Sequence, residues 1–159
     1  MEKPIISAVV PDTSQSKVTV YGVPDKPGIA ASLFRPLADR DVNVDMIVQN
    51  TSEEGVTDIS FTVPSEQLEI GKEITSQAAT VIGAQGVDTD NTIGRVSVVG
   101  AGMASNPGVA ATIFETLSTH SINIGMISTS AIRVSCVVAR EDVERATVAL
   151  HEAFELDKG

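Results

Sequence analysis

Two stretches of this chain repeat one pattern, and a duplication constrains the fold more tightly than composition can. The stretch from Lys17 reads KVTVYGVPDKPGIAASLFRPLADRDVNVDMIVQN, and the stretch from Arg95 reads RVSVVGAGMASNPGVAATIFETLSTHSINIGMISTS. Val18, Val20 and Gly22 match Val96, Val98 and Gly100. After a two-residue insertion in the second copy, Pro27 and Gly28 match Pro107 and Gly108. Leu33, Phe34 and Leu37 then match Ile113, Phe114 and Leu117, while Asn43 and Met46 match Asn123 and Met126. One supersecondary unit is written twice.

The period changes along each copy. Val18 and Val20 alternate with polar residues, which predicts a strand with one buried face. Ile29, Leu33, Phe34 and Leu37 follow at helical spacing and predict a helix from about 27 to 39. Val42, Val44, Met46 and Val48 alternate again, as do Ile59, Phe61 and Val63. In the second copy Ile132, Val134, Cys136 and Val138 read as a strand, and Val143, Ala146, Leu150 and Phe154 as a helix. Each copy is thus strand–helix–strand–strand–helix, most of a ferredoxin-like βαββαβ unit in the α+β class.

The final strand of each unit is the informative gap. Residues 83–90 offer one to the first copy, whereas only Glu155–Gly159 follow the last helix of the second. The β-branched segment at 4–10 precedes the first copy and belongs to neither repeat. We expect it to complete the second sheet, so that the first unit is an insertion within the second. The expected domains are 17–90 for the first and 4–10 plus 95–156 for the second, with 11–16 and 90–94 as connectors.

Each Pro-Gly pair falls between a strand and an amphipathic helix. Proline suits a first helical turn, glycine leaves room for a ligand, and the first helical N–H groups lack internal partners. With the helix dipole, such a corner accepts a carboxylate. Asp25 sets the opposite charge two residues before Pro27, which matches the ammonium of a free amino acid. Asn43, Asp45 and Gln49, with Asn123, Ser128 and Thr129 in the second copy, lie on the strands across from the corners. Turn chemistry alone also places Pro-Gly at such positions.

Other chemistries find little support. The formal charge of −10 over 159 residues disfavours nucleic acid and anionic membranes as partners, because phosphate binding needs clustered Lys and Arg. Cys136 is the single cysteine, so no intrachain disulfide can form. Two separated histidines make a metal cluster unexpected. VVGAGM at 98–103 follows a strand, but a dinucleotide fingerprint would need glycine where Ser105 stands and an acid after the next strand. No apolar run reaches the roughly 18 residues of a membrane span, and the first residues lack a secretory pattern. A soluble cytoplasmic chain is the expectation.

These tandem units, with VPDKPGIAA, NVDMIVQN, SNPGVAA and NIGMISTSAIRVSCVV, resemble the paired ACT domains at the C-terminus of aspartate kinases. The resemblance runs from about Ile5 to Phe154. It implies a regulatory part without the catalytic domain, hence no kinase activity alone and no cofactor. It also implies threonine and/or lysine bound between ACT units, a homodimer paired through its sheets, and a catalytic subunit of aspartate kinase as partner. The implied effector residues are Asp25, Lys26, Pro27, Gly28, Ile29 and Ala30 at the first corner. Asn43, Val44, Asp45, Gln49 and Ser52 lie on the strand and loop facing a partner unit. Asn106, Pro107, Gly108, Val109 and Ala110 form the second corner, with Asn123, Ile124 and Met126 on its strand. The chain departs from the family at Gly125 and Ala131, where glutamates are usual, and at Ala104, where a basic residue is common. Those departures bear on effector choice at the second corner. A free-standing tandem ACT sensor acting on another enzyme is the competing expectation.

Overall fold

The computed structural model describes residues 5–50, 53–103 and 106–156. Strand β1 (Ile5–Asp12) is followed by the elements of the first repeat: β2 (Gln15–Pro24), α1 (Ile29–Asp39), β3 (Ile47–Gln49), β4 (Val56–Pro64), α2 (Leu68–Ile82) and β5 (Gly86–Asp90). The second repeat supplies β6 (Ile93–Ala101), α3 (Pro107–Thr119), β7 (Met126–Thr129), β8 (Arg133–Ala139) and α4 (Val143–Ala153). Two compact units result, one from Ser14 to Asn91, the other from the residues up to Thr13 and from Thr92 onward.

In the first unit four antiparallel strands run in the order β3-β4-β2-β5. The alternation read from sequence puts Val18, Val20, Ile59, Phe61 and Val63 on the core side, against Leu33 and Leu37 of α1 and Ile74 and Ala78 of α2. Phe34 and Phe61 meet edge to face, with ring centroids 5.2 Å apart and planes at 74°, a favoured aromatic geometry. Each fully buried Val or Leu contributes roughly 1.5–3 kcal/mol by leaving water, which is how a nearly aromatic-free core holds.

The second unit repeats this plan with a strand from outside the repeat. Its sheet runs β1-β6-β8-β7, so β1 supplies its fourth strand. β1 pairs antiparallel to β6, Val9 opposite Val98, and Val9 joins the core of Val96, Val98, Ile113, Leu117, Val134, Cys136 and Leu150. Arg95 on β6 donates to Asp12 on β1 across 3.0 Å, with both side chains largely shielded. Burial lowers the Arg95 pKa, Asp12 opposes that shift, and Arg133 adds to it. At Gly94 a Cβ would fall 2.3 Å from a Val143 methyl, so only glycine lets β6 pass so close to the start of α4.

Several expected boundaries move. The first helix begins at Ile29, not at Pro27, because Gly28 turns left-handed ahead of it. Residues 42–46 form no strand; only Ile47–Gln49 does, although Val42 and Met46 still point into the core. Backbone bonds from Asp45 to Thr62 and from Thr62 to Met46 hold that segment beside β4 without a regular ladder. Ile132 lies outside β8 and is 62% exposed. The connectors shrink as well, since β1 continues to Asp12 while β2 starts at Gln15, and β5 ends at Asp90 while β6 starts at Ile93.

Candidate functional site at the first strand-to-helix corner

β2 ends at Pro24, and Asp25 to Gly28 carry the chain into α1. Two features fix this loop. The Asp25 N–H donates to the Gly55 carbonyl across 2.9 Å, tying it to the hairpin between β3 and β4. Gly28 adopts φ 91° and ψ −15°, a left-handed conformation that costs glycine little. A Cβ built at Gly28 would meet nothing within 4 Å, so the corner is open.

α1 starts there without a side-chain cap. The Ile29 N–H reaches the Lys26 carbonyl at 3.3 Å, and Ser32 returns both its N–H and its hydroxyl to the Gly28 carbonyl. The first turn thus presents the positive end of the helix dipole to an open space. That space is a cleft of about 390 Å³, within the usual size of small-molecule sites. Val23, Pro24, Ile29 and Ile59 give it apolar walls, and Asp25, Lys26, Gln49 and Thr57 give it polar groups. Thr57 is buried, and its hydroxyl donates to the Asn50 carbonyl at 2.5 Å, which braces the end of β3 beside Gln49. A ligand carrying a carboxylate and an ammonium on one carbon finds complementary groups here.

The residues expected to act together divide into distinct places. Asp25, Lys26, Pro27, Gly28, Ile29, Ala30 and Gln49 line this one cleft. Asn43 and Val44 instead line a groove of about 450 Å³ with Phe34, Ala38, Asp41, Val42 and Ile47. Gln67 fixes the backbone of that groove, accepting from the Asn43 N–H and donating to the Asp41 carbonyl. Asp45 is exposed, and Ser52 lies outside the described residues. Val23, Pro24, Thr57 and Ile59 join the cleft without having been singled out from sequence. They arrive because β4 lies against β2 in a register that slips between Val20 and Val23, which no local pattern encodes.

The second corner is built differently. Asn106 is the N-cap of α3, its side-chain oxygen accepting from the Gly108 N–H at 3.1 Å, and Pro107 takes the first helical position. Val109 and Met126 are buried in or beside the core, Ala110 and Ile124 are half-buried, and Asn123 is exposed.

Elsewhere the reactive side chains serve packing. Cys136 is 1% exposed, and burial pushes its thiol up to about 11. His120 closes the C-terminus of α3, with Nδ1 2.9 Å from the Thr116 carbonyl, and Arg145 donates to the His120 carbonyl at 2.6 Å. Among the described residues no three His, Cys, Asp or Glu side chains gather as a metal site. Nor is any helix among them long and apolar enough to cross a membrane.

Comparison with known proteins gives this geometry a context. Residues 17–83 and 96–154 each match the ACT domain family. The crystal structure of the regulatory subunit of aspartate kinase from Thermus thermophilus, in its ligand-free form, is 35% identical. It superposes with a TM-score of 0.89, covering 94% of this chain and 99% of that one. The chain belongs to the regulatory family of aspartate kinases and is built of two ACT domains. A second structure of this type, of aspartokinase alpha and beta subunits, is 46% identical with a TM-score of 0.88, covering 94% of this chain and 99% of that one. The aspartokinase of Pseudomonas aeruginosa is 47% identical over 157 residues. That match takes in 99% of this chain but 38% of the relative, so the ACT pair spans well under half the length of such curated enzymes.

Proposed function

We propose that this chain is the regulatory part of an aspartate kinase, non-catalytic by itself, and that it binds free threonine and/or lysine as feedback effector. The observation that carries the reading is the uncapped first turn of α1, opening beside Asp25 onto the 390 Å³ cleft. The ligand carboxylate sits at the helix N-terminus, its ammonium near the Asp25 carboxylate, and its side chain between Ile59, Gln49 and Thr57. Asn43, Val44 and Asp45 face a second copy of the chain, which closes the site.

Homodimerisation through the sheets is part of this reading. β3 and β7 are edge strands carrying exposed Ile47 and Ile127, the arrangement that side-by-side pairing would cover. The partner is a catalytic subunit of aspartate kinase; the similar alpha and beta subunit structure supports that partner class. Control follows if one conformation of the assembly binds effector better than the other, since a ligand shifts only an equilibrium whose states it binds unequally.

Reconstitution tests the proposal. Mixed with a catalytic subunit of its kinase, the chain makes phosphorylation of aspartate sensitive to added threonine or lysine. A rate indifferent to both amino acids, with the complex formed, refutes it.

A further inference from the structure

Gly22 and Gly100 occupy the same place in the two repeats, yet the strands that carry them run differently. In the first unit Val20 lies opposite Ile59 and Val23 opposite Thr57, so Tyr21 and Gly22 together face Asp58 alone. That is a β-bulge, with Gly22 left-handed at φ 62°. It breaks the alternation of β2. Val18, Val20 and Val23 all enter the first core, where strict alternation would send Gly22 and Pro24 inward. In the second unit the ladder continues from the pair Val98 and Val134 to the pair Val99 and Arg133. There the Gly100 N–H meets the Ile132 carbonyl at 2.9 Å, and Gly100 is not left-handed.

The residues opposite account for the difference. The N–H of buried Gly22 leaves the ladder and donates to the Asp58 carboxylate across 3.0 Å. Arg133 stands at the matching place in the second unit, and a guanidinium has no acceptor to offer. Asp58 also holds the neighbouring strand, its carbonyl accepting from the Asn50 N–H at 3.1 Å just after Gln49. Asp58 does not line the cleft, but the groups it ties together do. They are Val23 and Pro24 past the bulge, Gln49 at the end of β3, and Thr57 and Ile59 on either side of Asp58.

We infer that Asp58 is a positioning residue for the first-corner cleft, its carboxylate holding the bulge at Gly22 and so setting the exit of β2 against β3 and β4. This rests on the effector reading of that cleft. Without the carboxylate the buried Gly22 N–H has lost its acceptor, and the bulge loses the bond that favours it. The walls built from Val23 and Pro24 then shift against those built from Gln49 and Thr57.

Asp58→Ala and Asp58→Asn in the full chain test the role, with urea unfolding first fixing conditions in which both are folded. The first measurement needs no ligand. Water exchange of the Gly22 amide is about tenfold faster in Asp58→Ala, as loss of one buried hydrogen bond predicts. In Asp58→Asn, whose side-chain oxygen still accepts, it stays slow. Equal exchange in wild type and Asp58→Ala overturns the clamp. Calorimetric titration with threonine and with lysine then reads the cleft. Whichever of them binds wild type binds Asp58→Ala about tenfold more weakly. Asp58→Asn restores affinity to within about twofold of wild type, because the acceptor and not the charge holds the bulge. Unchanged affinity in folded Asp58→Ala leaves the clamp a purely structural one and overturns the inference. A loss as large in Asp58→Asn as in Asp58→Ala marks a direct charge contact with the ligand and overturns it too. If wild type binds neither amino acid, the effector reading falls and the positioning role falls with it, while Gly22 exchange still decides whether Asp58 holds the bulge.

Discussion

The backbone N–H of Asp25 donates to the carbonyl of Gly55 across 2.9 Å, fastening the loop ahead of α1 to the hairpin between β3 and β4. The bond uses main-chain atoms only, so the Asp25 side chain takes no part in it. Two roles of one residue can thereby be separated by substitution.

Asp25→Ala removes the carboxylate and keeps the loop. Amino-acid affinity falls by roughly tenfold to a hundredfold, the usual worth of a charge-assisted hydrogen bond. Stability changes by less than about 0.5 kcal/mol, as for exposed surface substitutions. Calorimetric titration and urea unfolding of the same variant check the pair of outcomes. Unchanged affinity removes Asp25 from the site.

Gly28→Ala probes the left-handed turn. The added methyl has open space, so the cost lies in the backbone alone, about 1–2 kcal/mol for an L-residue held at φ 91°. A lowered urea midpoint with an unchanged slope is the expected result.

Cys136 gives a dependence on pH. Its folded pKa is raised to about 11 by burial, whereas an unfolded thiol titrates near 8.5. Between these values the unfolded chain has released a proton that the folded chain keeps, so stability falls as pH rises, by roughly 1.4 kcal/mol per pH unit. Below about pH 8 the residue contributes no slope. Comparing wild type with Cys136→Ala by urea unfolding from pH 7 to pH 10.5 isolates this loss, which the variant lacks.

Val9→Asp tests the strand borrowed from outside the repeat. Val9 is 6% exposed within the second core, so a carboxylate there is desolvated without a partner. A loss of at least about 3 kcal/mol is expected. Hydrogen exchange reads it as lost protection of β6 amides such as Val96 and Val98.

Much of this architecture was legible because its determinants are local. Alternation of Val18 and Val20, helical spacing of Leu33 and Leu37, and the β-branched run ahead of the first repeat are all properties of short segments. They suffice to place β1 in the second sheet. What stayed hidden depends on distant partners. Whether Pro-Gly opens a helix, as Pro107 does, or precedes it, as Pro27 does, turns on a left-handed Gly28 beside a loop bonded to Gly55. Thr57 and Ile59 reach the cleft through the β2–β4 register. Residues 42–46 alternate like a strand, yet they carry only scattered bonds to β4 at the sheet edge. The sequence already sets the corners apart at Asp25, Gly125 and Ala131, but that Asn106 caps α3 shows only in the structure.

The central claim is that the first corner binds a free amino acid, and isothermal titration calorimetry of the chain with threonine and with lysine tests it most directly. The account predicts saturable heat from at least one of them at millimolar concentration or below, strongly reduced in Asp25→Ala. No heat from either at millimolar concentration would contradict it.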